Sequence, residues 1–108
     1  SNMAAYCGSK FAAIGITQSL AQELAQDKIR VNAICPGIVG TAMWLDHLIP
    51  KNNAGNAAPL DFETQTQQLI PMGVAQSAQD MAEAVLYLAR AKNVTGIALT
   101  VAGGMEMN

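Results

Sequence analysis

Tyr6 and Lys10 stand four residues apart in the run Tyr6-Cys7-Gly8-Ser9-Lys10. On a helix that spacing stacks two side chains on one face, across a single turn. A free phenol titrates near pH ~10 and is a poor proton donor or acceptor at neutral pH. An ammonium about 4 Å away favours the phenolate by about 4 kcal/mol at an effective dielectric of ~20. A pair placed in this way suits passing a proton to or from an alcohol or carbonyl oxygen. The same spacing also arises as an ordinary surface pair, so the weight of the motif rests on its surroundings.

The pair opens a segment, Met3 to Gln26, that is rich in Ala, Leu, Gln and Glu and free of proline, which predicts a helix. Phe11, Ile14, Ile16, Leu20 and Leu24 go round much of its circumference, which predicts burial on more than one side. Asp27 and Lys28 make a polar exit. The β-branched run Ile29 to Cys35, stopped by Pro36-Gly37, predicts a strand covered on both faces, with Asn32 the polar exception. A helix followed by a buried strand is half of an α/β repeat.

Ile38 to Gln76 differs in kind. Pro50, Pro59 and Pro71, with Asn52-Asn53 and Gly55-Asn56, break it into pieces, of which Ala42 to Leu48 and Asp61 to Leu69 predict brief helices. A connection this long is either a variable surface loop or a functional one. Trp44 and Phe62 favour the second, since large aromatics are costly to leave exposed, and point to a substrate-binding lid over 40–76. Order resumes at Ser77, an N-cap with Asp80 three residues on. Met81, Val85 and Leu88 keep i, i+4, i+7 spacing through Arg90. Asn93 to Gly96 predict a turn, Ile97 to Val101 a second buried strand, and Ala102-Gly103-Gly104 its end.

Composition narrows the classes. The chain has 108 residues and a formal net charge of −2, the length of a single domain. Only 13% of its residues are charged and 51% are hydrophobic, against about 25% charged in typical soluble domains. That is too little charge to cover a small free-standing domain, and it predicts a piece of something larger or a subunit covered by partners. Two parallel strands with their helices also leave strand edges of a doubly wound sheet unpaired. A pI near 5.1 without a Lys/Arg cluster argues against a nucleic-acid surface. No apolar run approaches the ~18 residues of a membrane span, and no signal peptide is visible. Cys7 and Cys35 are too few for a disulfide scaffold and suit reduced, buried thiols in a cytoplasmic protein. With the sole His47 they offer no metal-ligand spacing.

Three stretches in order complete the picture: Tyr6-Cys7-Gly8-Ser9-Lys10, then Ile29-Arg30-Val31-Asn32-Ala33-Ile34-Cys35-Pro36-Gly37-Ile38-Val39-Gly40-Thr41, then Val94-Thr95-Gly96-Ile97-Ala98-Leu99-Thr100-Val101-Ala102-Gly103-Gly104. Over nearly all 108 residues this set resembles the C-terminal half of the classical short-chain dehydrogenase/reductase family. The resemblance implies an α/β fold, the C-terminal half of a doubly wound parallel-sheet Rossmann fold, with 1–108 a single partial domain. It implies Tyr6 as the general acid/base on the substrate oxygen. It implies Lys10 as the lysine that activates the phenol and hydrogen-bonds the nicotinamide ribose. Pro36 and Gly37 match the turn beside the nicotinamide, Val39 the backbone that meets its carboxamide, and Thr41 a hydroxyl on the carboxamide or pyrophosphate. A crevice beyond the carboxyl ends of parallel strands is where such sheets bind ligands.

The cofactor so implied is NAD or NADP, the substrate a small-molecule secondary alcohol or ketone, and the assembly a homo-oligomer, dimer or tetramer. Pro36 to Trp44 resembles members acting on small polyols, acetoin or sugar alcohols. The family's pyrophosphate-binding Gly-rich turn, its NAD/NADP-selecting residue, its catalytic serine and its relay asparagine have no counterpart among these residues. This stretch alone is therefore expected to be inactive as an enzyme. The alternative is a non-catalytic interaction module or decoy subunit that assembles with full-length copies through the apolar first helix.

Overall fold

In the computed structural model, which describes residues 3–37, 39 and 62–105, the elements run helix α1 (Ala4–Leu24), strand β1 (Ala33–Pro36), helix α2 (Phe62–Leu69), helix α3 (Ala78–Arg90) and strand β2 (Ala98–Val101). Ala33 N donates to Ile97 O at 2.9 Å and Gly37 N to Val101 O at 3.0 Å. The offset between partners is the same at both ends, so β1 and β2 run parallel, as a two-stranded sheet among the described residues. The chain divides into two compact units, Ser1–Cys35 with Glu83–Leu99, and Pro36–Ala82 with Thr100–Asn108.

In the first unit, α1 closes through a 3-10 turn, Ala25–Asp27, into Lys28, whose φ of 61° is left-handed. Lys28 N donates to Ala25 O and Ile29 N to Leu24 O, so carbonyls at the helix end find partners as the chain turns. The unit buries Ala21, Ala84 and Leu88. Ala21 lies against Gly96, where an added β-carbon would come 3.4 Å from the alanine methyl.

Burial of α1 on several sides does not occur among the described residues. Only Ala21 of the helix is buried, and Phe11 is 75% and Ile16 60% exposed. Apolar residues all round a helix need neighbours on each side. Cys7, expected as a buried thiol, is exposed for the same reason, and Cys35 is half-buried.

β1 starts four residues later than the β-branched run predicts, and the side chains of that run explain why. Arg30 leaves the strand direction to donate through Nη1 to Leu88 O and through Nη2 to Ala89 O at 2.8 Å. These are orphan carbonyls at the end of α3, where a cation also meets the negative end of the helix dipole. Asn32 Nδ2 donates to Val94 O at 2.9 Å, while its Oδ1 accepts from Ile97 N at 3.2 Å. Val31 N donates to Thr95 Oγ1 at 3.1 Å. Side chains thus take Val31 N and Ile97 N, leaving one backbone bond, Gly96 N to Val31 O at 2.8 Å, before the ladder proper, and β2 begins at Ala98. Arg30, Asn32, Ile34, Val85, Leu88 and Ala89 line a shallow groove of about 350 Å³. Replacing Arg30 by Met keeps the stem but leaves those carbonyls unpaired. Loss of charge-assisted bonds of this kind costs about 2 kcal/mol, to be read from chemical denaturation of the whole protein.

The second unit holds the start of α3. Ser77 N donates to Asp80 Oδ2 at 2.7 Å and Asp80 N to Ser77 Oγ at 3.1 Å, a reciprocal cap. Thr66, Ile70, Gln76 and Ala102 are buried here. Met72 N donates to Gly103 O at 3.0 Å, which ties the segment after α2 to the turn after β2. No helix among the described residues is long and apolar enough to cross a membrane.

Candidate active site

Tyr6 and Lys10 lie in the first turns of α1, whose backbone ladder begins with Cys7 N donating to Met3 O at 2.8 Å. Helical spacing brings the two side chains to one face, with Lys10 Nζ 5.3 Å from the centre of the Tyr6 ring. At that distance the ammonium is held by the negative face of the aromatic ring. Tyr6 is 39% exposed, so a small molecule has access to its side chain. Ser9, between them in sequence, turns its hydroxyl back to Tyr6 O at 2.7 Å and is spent on the helix backbone.

The other predicted residues fall in the second unit. Pro36 closes β1; lacking an N–H, it cannot extend the ladder there. Gly37 follows, and Val39 makes an isolated parallel bridge with Gln76. The bend is tight at Gly37. A β-carbon there would lie 2.7 Å from Gln76 Oε1, 2.8 Å from Ala102 Cβ and 2.9 Å from Ala102 Cα. From the other side Gly103, at a φ of +61°, leaves room for Ile70 and for Gln76 Nε2, which would sit 2.6 and 3.0 Å from its β-carbon. The Gln76 side chain is therefore clasped between two glycines that end two parallel strands.

Gln76 is 8% exposed, and its Nε2 donates to Val74 O at 3.2 Å. Its Oε1 is buried and finds no hydrogen-bond donor among the described residues. An acceptor left in that state costs about 1–3 kcal/mol, so a built site of this kind calls for an explanation. Sequence reasoning passed over Gln76, since a polar residue just before an N-cap reads as loop.

The pair on α1 and the bend after β1 are thus each assembled locally. Thr41 lies outside the described residues, as do residues 40–61 of the predicted lid, with Trp44, His47 and the brief helix expected over Ala42 to Leu48. The second brief helix is α2.

Residues 1–106 match the family model described as enoyl-(acyl carrier protein) reductase. The chain belongs to the short-chain dehydrogenase/reductase family, and its fold is the C-terminal part of that family's doubly wound parallel sheet. It is 40% identical over 110 residues to L-2,3-butanediol dehydrogenase of Corynebacterium glutamicum, covering 98% of this chain and 42% of that protein. To the (S)-acetoin-forming diacetyl reductase of Staphylococcus aureus it is 38% identical over 104 residues, covering 94% and 40%. The solved structure of carveol dehydrogenase from Mycobacterium avium in complex with NAD superposes with a TM-score of 0.79 at 33% identity, covering 93% of this chain and 38% of that one. The chain spans about two fifths of the length of these relatives.

Proposed function

We propose that the protein carrying this chain is an NAD(P)-dependent oxidoreductase acting on a secondary alcohol or ketone, with Tyr6 as the general acid/base. The observation that carries the proposal is the Tyr6–Lys10 pair, held on one exposed helix face with Nζ 5.3 Å from the ring centre. Tyr6 takes the hydroxyl proton of the alcohol or returns one to the ketone oxygen. Lys10 places a positive charge over the ring and would hydrogen-bond the ribose of a bound nicotinamide nucleotide.

The bend fits a planar amide. Gly37 presents no side chain, Val39 offers peptide groups, and an unpartnered acceptor lies beside them. Pro36, Gly37, Val39 and Thr41 would hold the nicotinamide end, and the bound nicotinamide would supply the hydride acceptor or donor. The names of the relatives, a butanediol dehydrogenase and a diacetyl reductase, support a small vicinal diol or hydroxyketone as substrate, with 40–76 as its cover. Free Cys7 and Cys35 suit a reducing, cytoplasmic compartment. The exposed Phe11 and Ile16 suit a homo-oligomer, dimer or tetramer, with α1 at its interface.

The test is oxidation of 2,3-butanediol and reduction of diacetyl by the whole protein, followed by absorbance of the reduced nicotinamide. Turnover with either dinucleotide is the expected result. Neither turnover nor dinucleotide binding, with the chain assembling on full-length copies, would favour the non-catalytic module instead.

A further inference from the structure

We propose that Ile70 is a positioning residue for the substrate, through a seat on Gly103 that fixes the end of α2 beside the carboxyl ends of the two strands. The inference rests on the oxidoreductase reading above and assigns a role to a residue outside the Tyr6–Lys10 pair and the Pro36-Gly37 bend. Three observations within one unit carry it.

The first is burial. Ile70 is 1% exposed, and among the described residues no other large side chain is buried so fully. It stands one place past α2, and its N–H donates to Thr66 O at 2.9 Å, so it continues the last helical turn. The second is fit. Gly103 has a φ of +61°, and a β-carbon there would come 2.6 Å from Ile70 Cγ2. The branch methyl therefore fills the place that a side chain on residue 103 would take. The third is that the seat is reinforced on both strands of backbone. Met72 N donates to Gly103 O at 3.0 Å, and Gly104 leaves room for Pro71, whose Cβ and Cγ would lie 3.2 Å from its β-carbon. Three consecutive residues after α2 are thus laid on two consecutive glycines after β2.

The same turn backs the bend after β1, because Ala102, next to Gly103, packs against Gly37. Ligands of parallel sheets bind beyond such strand ends. The seat thereby holds α2 at the rim of that crevice, as a fixed wall for a small diol or hydroxyketone. A β-branched side chain suits the task, since its Cγ2 hangs directly from Cβ and has little torsional freedom. A wall binds substrate and transition state alike, so displacing it raises KM and spares kcat.

The experiment compares the wild type, Ile70→Val and Ile70→Leu as whole proteins. It reads steady-state kinetics with 2,3-butanediol and diacetyl, dinucleotide affinity by calorimetry, and denaturation midpoints. Valine keeps Cγ2 and loses Cδ1, whereas leucine keeps the volume and loses the branch at Cβ. The expected KM stays within about twofold of wild type for Ile70→Val and rises about tenfold for Ile70→Leu, with kcat and dinucleotide affinity unchanged in both. A residue needed only for core volume gives the opposite ranking, with Ile70→Val the more impaired. That ranking, an equal KM in all three proteins, or a loss of dinucleotide affinity alongside KM overturns the role of Ile70 alone. A wild type that turns over neither compound overturns the oxidoreductase reading and this proposal with it.

Discussion

Tyr6→Phe is expected to lower kcat by about 10²- to 10⁴-fold, the usual worth of a positioned proton-transfer group, while KM and dinucleotide affinity change little. At the upper end that is roughly 5 kcal/mol of transition-state stabilisation. The substitution is informative because of what it keeps. Lys10 Nζ is held over the ring of residue 6, not on its oxygen, and phenylalanine offers a ring of the same size and face. The lysine has no reason to leave, α1 keeps its propensity, and the loss isolates the hydroxyl. Steady-state kinetics on the whole protein read the split. A variant that retains more than about a tenth of wild-type kcat would remove Tyr6 from the chemistry.

Gly37→Ala is expected to damage both fold and binding, and for a steric reason. Its φ is not in the left-handed region, so the glycine is required by the close approach of its neighbours. Gln76 Oε1, at 2.7 Å from the added carbon, can swing away. Ala102 cannot: its Cβ at 2.8 Å and Cα at 2.9 Å are fixed by the backbone that follows β2. Relief then requires parting the bend from that backbone, where Gly37 N is bonded to Val101 O. Overpacking of this kind costs about 3 kcal/mol, and a bend pushed out of place should bind dinucleotide at least tenfold more weakly. Adding Ala102→Gly removes the contact at 2.8 Å but not the one at 2.9 Å, so the double variant should recover part of the stability. Denaturation midpoints of the wild type and the two variants check this, and full stability of Gly37→Ala would refute the clash.

Much of the site was legible because it is local. Tyr6 and Lys10 share a face through the geometry of one helical turn, and Ser77 with Asp80 caps α3 within three residues. The order of helices and strands follows from apolar pattern and from Pro36-Gly37. Packing was less legible. The apolar circumference of α1 predicts cover on several sides, yet cover depends on neighbours, and among the described residues of α1 Ala21 alone is buried. The start of β1 was misjudged because β-branched residues predict a ladder without revealing that Asn32 would replace its bonds.

The sequence by itself determined the tyrosine–lysine pair, the caps and the α/β order, since each is decided by residues a turn or a strand apart. Only the tertiary structure decided that Arg30 would close the end of α3, 58 residues further along the chain, and that Gln76 would lie beneath Gly37 with an acceptor to spare. Those contacts depend on how distant segments meet in space, and no short-range spacing encodes that meeting.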